Sequence, residues 1–276
     1  MPSSEKPAWL EWVVIILIRL LLNVCAVLPL AKARVFGALC GGWLYRFNKR
    51  IRQVTIRNLE LAYPDWPDEI RHRVARQSLR ATGELVTEMG HVWNKPWSHT
   101  EALLDIDGVD SVLTPLQSGR GVIVLIPHLG NWEVVGLHLA KLGDLVALYK
   151  PLRFKKLDRF VHLGRQQTGA KLVPTTRRGI AELARSVRSG GITAILPDQV
   201  PDNLTAGLNA PFFGIDCFTP TLSHNLIKRS GAAAIMGAAL RKPGGFQIVY
   251  RPADEAVYAE HADHALAAIN REVEYL

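Results

Sequence analysis

A chain of 276 residues has length for one sizeable core, and it fits one globular domain plus an added segment better than two full domains. Its formal charge of +8, from 33 Lys+Arg against 25 Asp+Glu, favours an anionic partner such as a lipid surface, an acidic protein or a nucleic acid. The three cysteines, Cys25, Cys40 and Cys217, have neither CxxC nor Cys/His ligand spacing, which argues against a disulfide framework or a zinc site and fits a reducing compartment.

Residues 12–31 read WVVIILIRLLLNVCAVLPLA. Twenty residues as a helix rise roughly 30 Å, about the hydrocarbon thickness of a bilayer, so an N-terminal membrane helix is expected. Arg19 and Asn23 interrupt it, which leaves a helix lying in the interface open as the alternative. A cleaved signal peptide fits less well, because the segment is long, follows the acid-containing SSEKPAWLEW and lacks a small-x-small cleavage site. Lys32, Arg34, Arg46, Lys49, Arg50, Arg52 and Arg57 all precede Glu60, whereas Lys6 stands between Glu5 and Glu11. The positive-inside rule then assigns residues 1–31 to a membrane anchor and residues 32–276 to a domain on the cytoplasmic side of the membrane.

In residues 32–60, Val35, Phe36, Leu39, Trp43, Leu44 and Phe47 recur at helical spacing between basic residues, a face suited to lipid headgroups or to an ordinary core. Pro67-Asp68-Glu69 marks a helix start, and Ile70, Val74, Ala81, Leu85 and Met89 continue one apolar face. Residues 121–127 (GVIVLIP) and 190–197 (GGITAILP) are short β-branched apolar runs, the signature of strands covered on both faces, and residues 145–149 (LVALY) lie between them. Helical patterns at 131–141 and 180–187 separate these runs, while residues 232–240 and 245–251 read as a hairpin across Lys242-Pro243-Gly244-Gly245. The expected fold is therefore α/β, a mixed sheet flanked by helices, with functional groups beyond the carboxyl ends of the strands. The terminal ALAAINREVEYL reads as a helix without a stop signal, so a chain shortened at its C-terminus is expected.

The most informative segment is His128-Leu129-Gly130-Asn131-Trp132-Glu133. His128 follows a buried strand directly, Gly130 lets the backbone turn, and Asn131 is a favoured N-cap, which puts Glu133 in the first turn of the next helix. Residues five apart on one helix diverge by about 140°, so His128 meets Glu133 only from a loop preceding the helix. A carboxylate on one imidazole nitrogen fixes the tautomer and leaves the other to take a proton from a hydroxyl, while the helix N-terminus offers N–H groups to an oxyanion.

The sequence resembles the bacterial lipid A biosynthesis acyltransferases of the late, lauroyl- or myristoyl-type group, over nearly its whole length. QVTIRNLELAYPD (53–65), HLGNWE (128–133), LYKP (148–151), Arg165 followed by Gly169, LPDQ (196–199) and PFFGIDCFTPT (211–221) occur in the family's order. The histidine–acid motif alone is shared with glycerolipid acyltransferases, which usually carry Asp, and the resemblance implies a fold of that kind. It also implies transfer of an acyl chain from an acyl carrier protein thioester to a hydroxyl of a lipid A precursor, with no cofactor or metal of the enzyme's own. His128 would be the general base and Glu133 its orienting partner. Asn131, Trp132, Tyr149, Lys150, Arg165, Asp198, Gln199, Phe213, Gly214 and Thr219 would contact substrate. Lys150 would be a phosphate contact, Arg165 would hold phosphate or the thioester oxygen, Asp198 would fix Arg or His geometry, and Phe212, Phe213 and Phe218 would line an acyl tunnel. The family's chains usually run on past the point corresponding to Leu276.

A basic surface suits an acidic carrier protein and a phosphorylated lipid alike. The alternative acceptor is another glycolipid, an aminolipid or a lysophospholipid, since the motif reports chemistry more securely than substrate. A metal-dependent hydrolase using His128, Glu133, Asp198 and His224 lacks an HxxxH or HxxE pair near His128. A non-catalytic lipid carrier predicts that His128 is dispensable, and nucleic-acid binding lacks any fold signature beside the charge.

Overall fold

The computed structural model describes residues 8–276 except 153, 202 and 204, with side chains from residue 11 onward. The first helix, α1 (Ala8–Val27), stops at Leu28-Pro29, and Pro29, which has no N–H to give, stands at the N-cap of α2 (Leu30–Phe47). Asn48 then breaks the basic stretch by accepting from the Ile51 N–H (3.1 Å), which starts α3 (Lys49–Ala62). The long α4 (Asp68–Val92) begins behind Pro67 as its sequence indicates.

These helices overturn the expected membrane helix. The run 12–31 is divided at Pro29, and its apolar part within α1, residues 12–27, rises only roughly 24 Å against the roughly 30 Å of hydrocarbon. One side of α1 is committed to protein: Ile15, Leu22 and Cys25 are buried, Asn23 accepts from Asn94 (2.9 Å), and Glu11 accepts from the Lys156 N–H (2.9 Å). Among the described residues no helix is long and apolar enough to cross a membrane. The Glu5–Lys6 flank used for the positive-inside argument lies outside the described residues. Helices α2 and α4 approach closely at glycines, where a Cβ on Gly37 would stand 2.3 Å from the Gly83 oxygen and one on Gly41 2.0 Å from the Leu79 oxygen.

A short α5 (Trp97–Glu101) leads to β1 (Leu104–Asp107) and α6 (Asp110–Gln117). Then come β2 (Val122–Leu125), α7 (Trp132–Leu142), β3 (Val146–Tyr149), α8 (Lys155–Gln166), β4 (Lys171–Pro174), α9 (Arg177–Arg188) and β5 (Ile192–Ile195). A hairpin of β6 (Gly207–Phe212) and β7 (Ile215–Pro220) precedes α10 (Leu222–Ser230). The last strands, β8 (Ala233–Lys242) and β9 (Gly245–Pro252), form the expected hairpin, followed by a 3-10 turn and α11 (Ala262–Tyr275).

The main sheet is mixed, in the order β1-β9-β8-β2-β5, with β2 parallel to both β8 and β5 and the β8–β9 pair antiparallel. All four β2 residues are buried, as a strand covered on both faces requires. Val122 and Val124 join one core with α7 and β9, and Ile123 and Leu125 join the other with α9 and α11. Strands β3 and β4 form their own parallel pair. It touches the main sheet through a bridge at Leu145–Ile192 and diverges from β5 beyond that point. This split, at the carboxyl end of β5, opens the cavity described next.

Candidate active site

The parallel register pairs Leu125 of β2 with Ile195 of β5, and each strand then runs three residues further to a polar side chain, His128 and Asp198. Equal offsets on paired parallel strands bring the two together although they are 70 residues apart. The His128 Nδ1 lies 2.8 Å from one Asp198 oxygen, and its backbone N–H donates to the other at 2.7 Å. Because a carboxylate only accepts, Nδ1 carries a proton, and in the neutral imidazole this leaves the lone pair on Nε2. Burial alone would raise the Asp198 pKa, but the bonds from the His128 ring and backbone outweigh it and hold the carboxyl below the ordinary range.

Glu133, expected to orient the imidazole, is bonded elsewhere. Its carboxylate accepts from Arg165 in the last turn of α8, from Nε at 2.9 and 3.1 Å and from Nη2 at 2.5 Å. Glu133 is nearly buried and Arg165 about a third exposed, at 7% and 34% of their side chains. Burial works against the Arg165 charge, yet the Glu133 carboxylate raises its pKa on balance and the guanidinium stays a cation. The Arg165 guanidinium also lies 5.6 Å from the Tyr149 ring centroid. The Tyr149 hydroxyl donates to Asp158 (2.6 Å), and burial together with that carboxylate pushes the phenol's pKa well up, so Tyr149 remains a neutral donor. Tyr149 thus supports Arg165 from below.

The loop between strand and helix is tightly fixed. Gly130 has φ +60° and a Cβ there would meet the Ala239 oxygen at 2.0 Å, so only glycine passes. The Asn131 N–H donates to the same Ala239 oxygen (2.9 Å). Asn131 stands at the N-cap of α7 but makes no capping bond, because its side chain turns to Glu88. The Trp132 ring meets His128 edge-on with centroids 4.8 Å apart.

These groups rim a cavity of about 420 Å³. His128, Trp132, Glu133, Lys150, Arg165 and Gln199 form its polar side; Gly136, Leu137, Leu148, Leu172, Ala194 and Leu222 belong to its apolar walls. The expected tunnel of Phe212, Phe213 and Phe218 is not part of this lining. Phe213 and Gly214 are the two-residue turn of the β6–β7 hairpin, at φ +48° and +75°, and the Phe213 N–H donates to Glu274 (2.6 Å). Thr219 is buried against Asn270 (3.0 Å). The apolar wall comes instead from α7 and the diverging β3, β4 and β5, which the sequence marks as core and not as site. Glu88, fully buried beside Asn131, was also missed; a charged residue one position before Met89 on the apolar face of α4 was its only signal.

The sequence model described as "Bacterial lipid A biosynthesis acyltransferase" matches residues 3–276. The chain is 24% identical over 250 residues to the lipid A biosynthesis palmitoleoyltransferase of Escherichia coli (strain K12), spanning 90% of this chain and 80% of that one. It is 22% identical over 269 residues to the lipid A biosynthesis lauroyltransferase of the same organism, spanning 96% and 86%. It is also 25% identical over 211 residues to a phosphatidylinositol mannoside acyltransferase of Mycolicibacterium smegmatis (strain ATCC 700084 / mc(2)155), spanning 75% and 68%. With a family match over nearly its whole length, the chain belongs to the bacterial lipid A biosynthesis acyltransferases.

Proposed function

We propose that this acyltransferase moves a fatty acyl chain from an acyl carrier protein thioester to a hydroxyl of a lipid A precursor, with His128 as general base. The observation that carries this reading is the His128–Asp198 pair set at the rim of an apolar cavity whose volume falls in the ligand-pocket range of roughly 300–1,000 Å³. The acyl chain occupies the apolar part, which leaves the thioester carbonyl beside the imidazole. Nε2 takes the proton of the acceptor hydroxyl as its oxygen attacks the carbonyl carbon. Asp198 stabilises the imidazolium so formed. The carbon–sulfur bond then breaks, and the imidazolium gives its proton to the departing thiolate, which leaves as the thiol.

Arg165 faces Glu133 with Nε and Nη2, which leaves the Nη1 donors for the thioester oxygen or an acceptor phosphate. Lys150 and Gln199 on the same rim are contacts for the headgroup. Glu133 acts through Arg165 in this scheme. The enzyme works at the surface of the bacterial inner membrane, on its cytoplasmic side. Support for that location comes from the exposed Trp12, Leu17 and Leu20 of α1 and Phe36, Trp43 and Phe47 of α2, together with the basic residues that follow in α3, a combination that suits anionic headgroups. Residues 11–31 contribute to this membrane-facing surface and residues 32–276 carry the reaction. A phosphoglycolipid such as a phosphatidylinositol mannoside is the second acceptor class, favoured by the mycobacterial relative.

The test is transfer of label from a radiolabelled acyl carrier protein thioester, and separately from the matching coenzyme A thioester, to each lipid in detergent. The expected result is labelled lipid A precursor from the carrier protein, and a loss of about 10²–10⁴-fold in His128→Ala. Labelling of the mannoside alone moves the acceptor; transfer from coenzyme A alone moves the donor; equal rates in wild type and His128→Ala overturn the mechanism.

A further inference from the structure

Glu88 is fully buried in α4 and takes no part in the reaction derived above, yet it accepts three N–H bonds from three separate elements. Arg34 Nε of α2 and Arg241 Nε of β8 donate to one oxygen at 2.7 and 2.8 Å, and Asn131 Nδ2 donates to the other at 2.9 Å. The two arginines continue outward. Arg34 donates to the Lys242 and Gly245 carbonyls (2.8 Å each), which pins the β8–β9 turn, and Arg241 donates to the Ala81 carbonyl (3.0 Å).

A buried carboxylate costs several kcal/mol to desolvate, and an apolar side chain would fill the same space without that cost. What it obtains here is the orientation of Asn131. The carboxylate can only accept, so it takes the amide nitrogen, and the residue best suited to cap α7 is diverted from capping. Asn131 is three residues from His128 and two from Glu133. With its backbone N–H held by Ala239 and its side chain by Glu88, it anchors the loop 128–133 from within.

Resting on the reaction proposed above, we propose that Glu88 is a positioning residue: through Asn131 it sets the place of the His128 loop, and through Arg34 and Arg241 it ties that place to the α2–α4 layer and the β8–β9 turn.

Three variants of the full chain test this, with thermal melting and near-UV circular dichroism read beside kinetics. Asn131→Ala removes the link and leaves the Arg34–Glu88–Arg241 cluster intact. It is expected to stay folded and to lower kcat by roughly 10- to 100-fold with KM within about twofold, the signature of a misplaced group. Asn131→Asp sets a carboxylate against Glu88 and is expected to lose at least as much. Adding Glu88→Gln to Asn131→Asp restores a donor–acceptor pair with the same total charge and is expected to recover about tenfold of the rate. Imidazole NMR of His128 gives a readout independent of turnover: its signal shifts in Asn131→Ala. Unchanged kcat, unfolding of Asn131→Ala, or failure of the double variant to recover rate overturns the proposal. If wild type itself transfers no acyl group, the reaction reading fails separately, and an unmoved His128 signal is then the result that removes the positioning role.

Discussion

Two apolar runs of this chain reach opposite environments. Strand β2 is buried on both faces, between α7 and β9 on one side and α9 and α11 on the other, and the loop at its end holds His128 in a fixed place. Helix α1 is also largely apolar, but it buries Ile15, Leu22 and Cys25 and leaves Trp12, Ile16, Leu17, Leu20 and Val24 exposed. Hydropathy reports what avoids water and not what it meets instead. A four-residue strand meets its neighbours through its own ladder, whereas a helix meets only what packs on one of its sides. Precision in the first region and an unpaired face in the second follow from that difference.

Ile123→Ala in β2 removes a wholly buried side chain between packed layers and is expected to cost about 2–5 kcal/mol, read from urea midpoints. Glu133→Gln leaves the Arg165 cation without its anion. Because Arg165 is about a third exposed, the expected stability loss is about 1–3 kcal/mol, smaller than for a fully buried pair, and the transfer rate is expected to fall by about tenfold or more. A wild-type rate in this variant would show that Arg165 needs no partner.

Acid sharpens the contrast further. The folded Asp198 pKa lies below its unfolded value, so its stabilising contribution is full above the ordinary carboxylate range of about 4 and is lost as pH falls through the folded value. Midpoints of wild type and Asp198→Asn are therefore expected to begin converging as pH falls below about 4; a gap unchanged under acid would contradict a carboxylate held by the two His128 N–H bonds. The smallest effect on stability belongs to α1. Leu20→Ser, on its exposed face, is expected to change stability by no more than about 0.5 kcal/mol while weakening binding to anionic vesicles. A large loss of stability would mean that this face is covered.

What was legible in the sequence is what depends on near neighbours. The β-branched run ending in His128, the glycine turn, the helix carrying Glu133 and the β8–β9 hairpin all come from patterns within about a dozen residues. The partner of His128 does not. Glu133 is near in sequence and was the natural choice, but the pairing is decided by the register of two parallel strands whose separation no local pattern encodes. The apolar wall was missed for a related reason: Gly136, Leu137 and Leu172 look like any core residues until β3 diverges from β5. Phe213 and Gly214 illustrate the reverse error, since a turn that demands two positive φ angles resembled a run of tunnel aromatics.

The central claim is that Asp198, and not Glu133, is the carboxylate that serves the His128 imidazole. Its most direct test is the single-turnover acyl-transfer rate of Asp198→Asn, measured against wild type on a variant shown to be folded. An amide has one accepting oxygen for the two His128 donors, so with the backbone N–H on that oxygen the NH2 faces Nδ1 and favours the other tautomer; the expected result is a loss of about 10²-fold or more with substrate binding retained. A rate within a few-fold of wild type would contradict it and return the orienting role to another group.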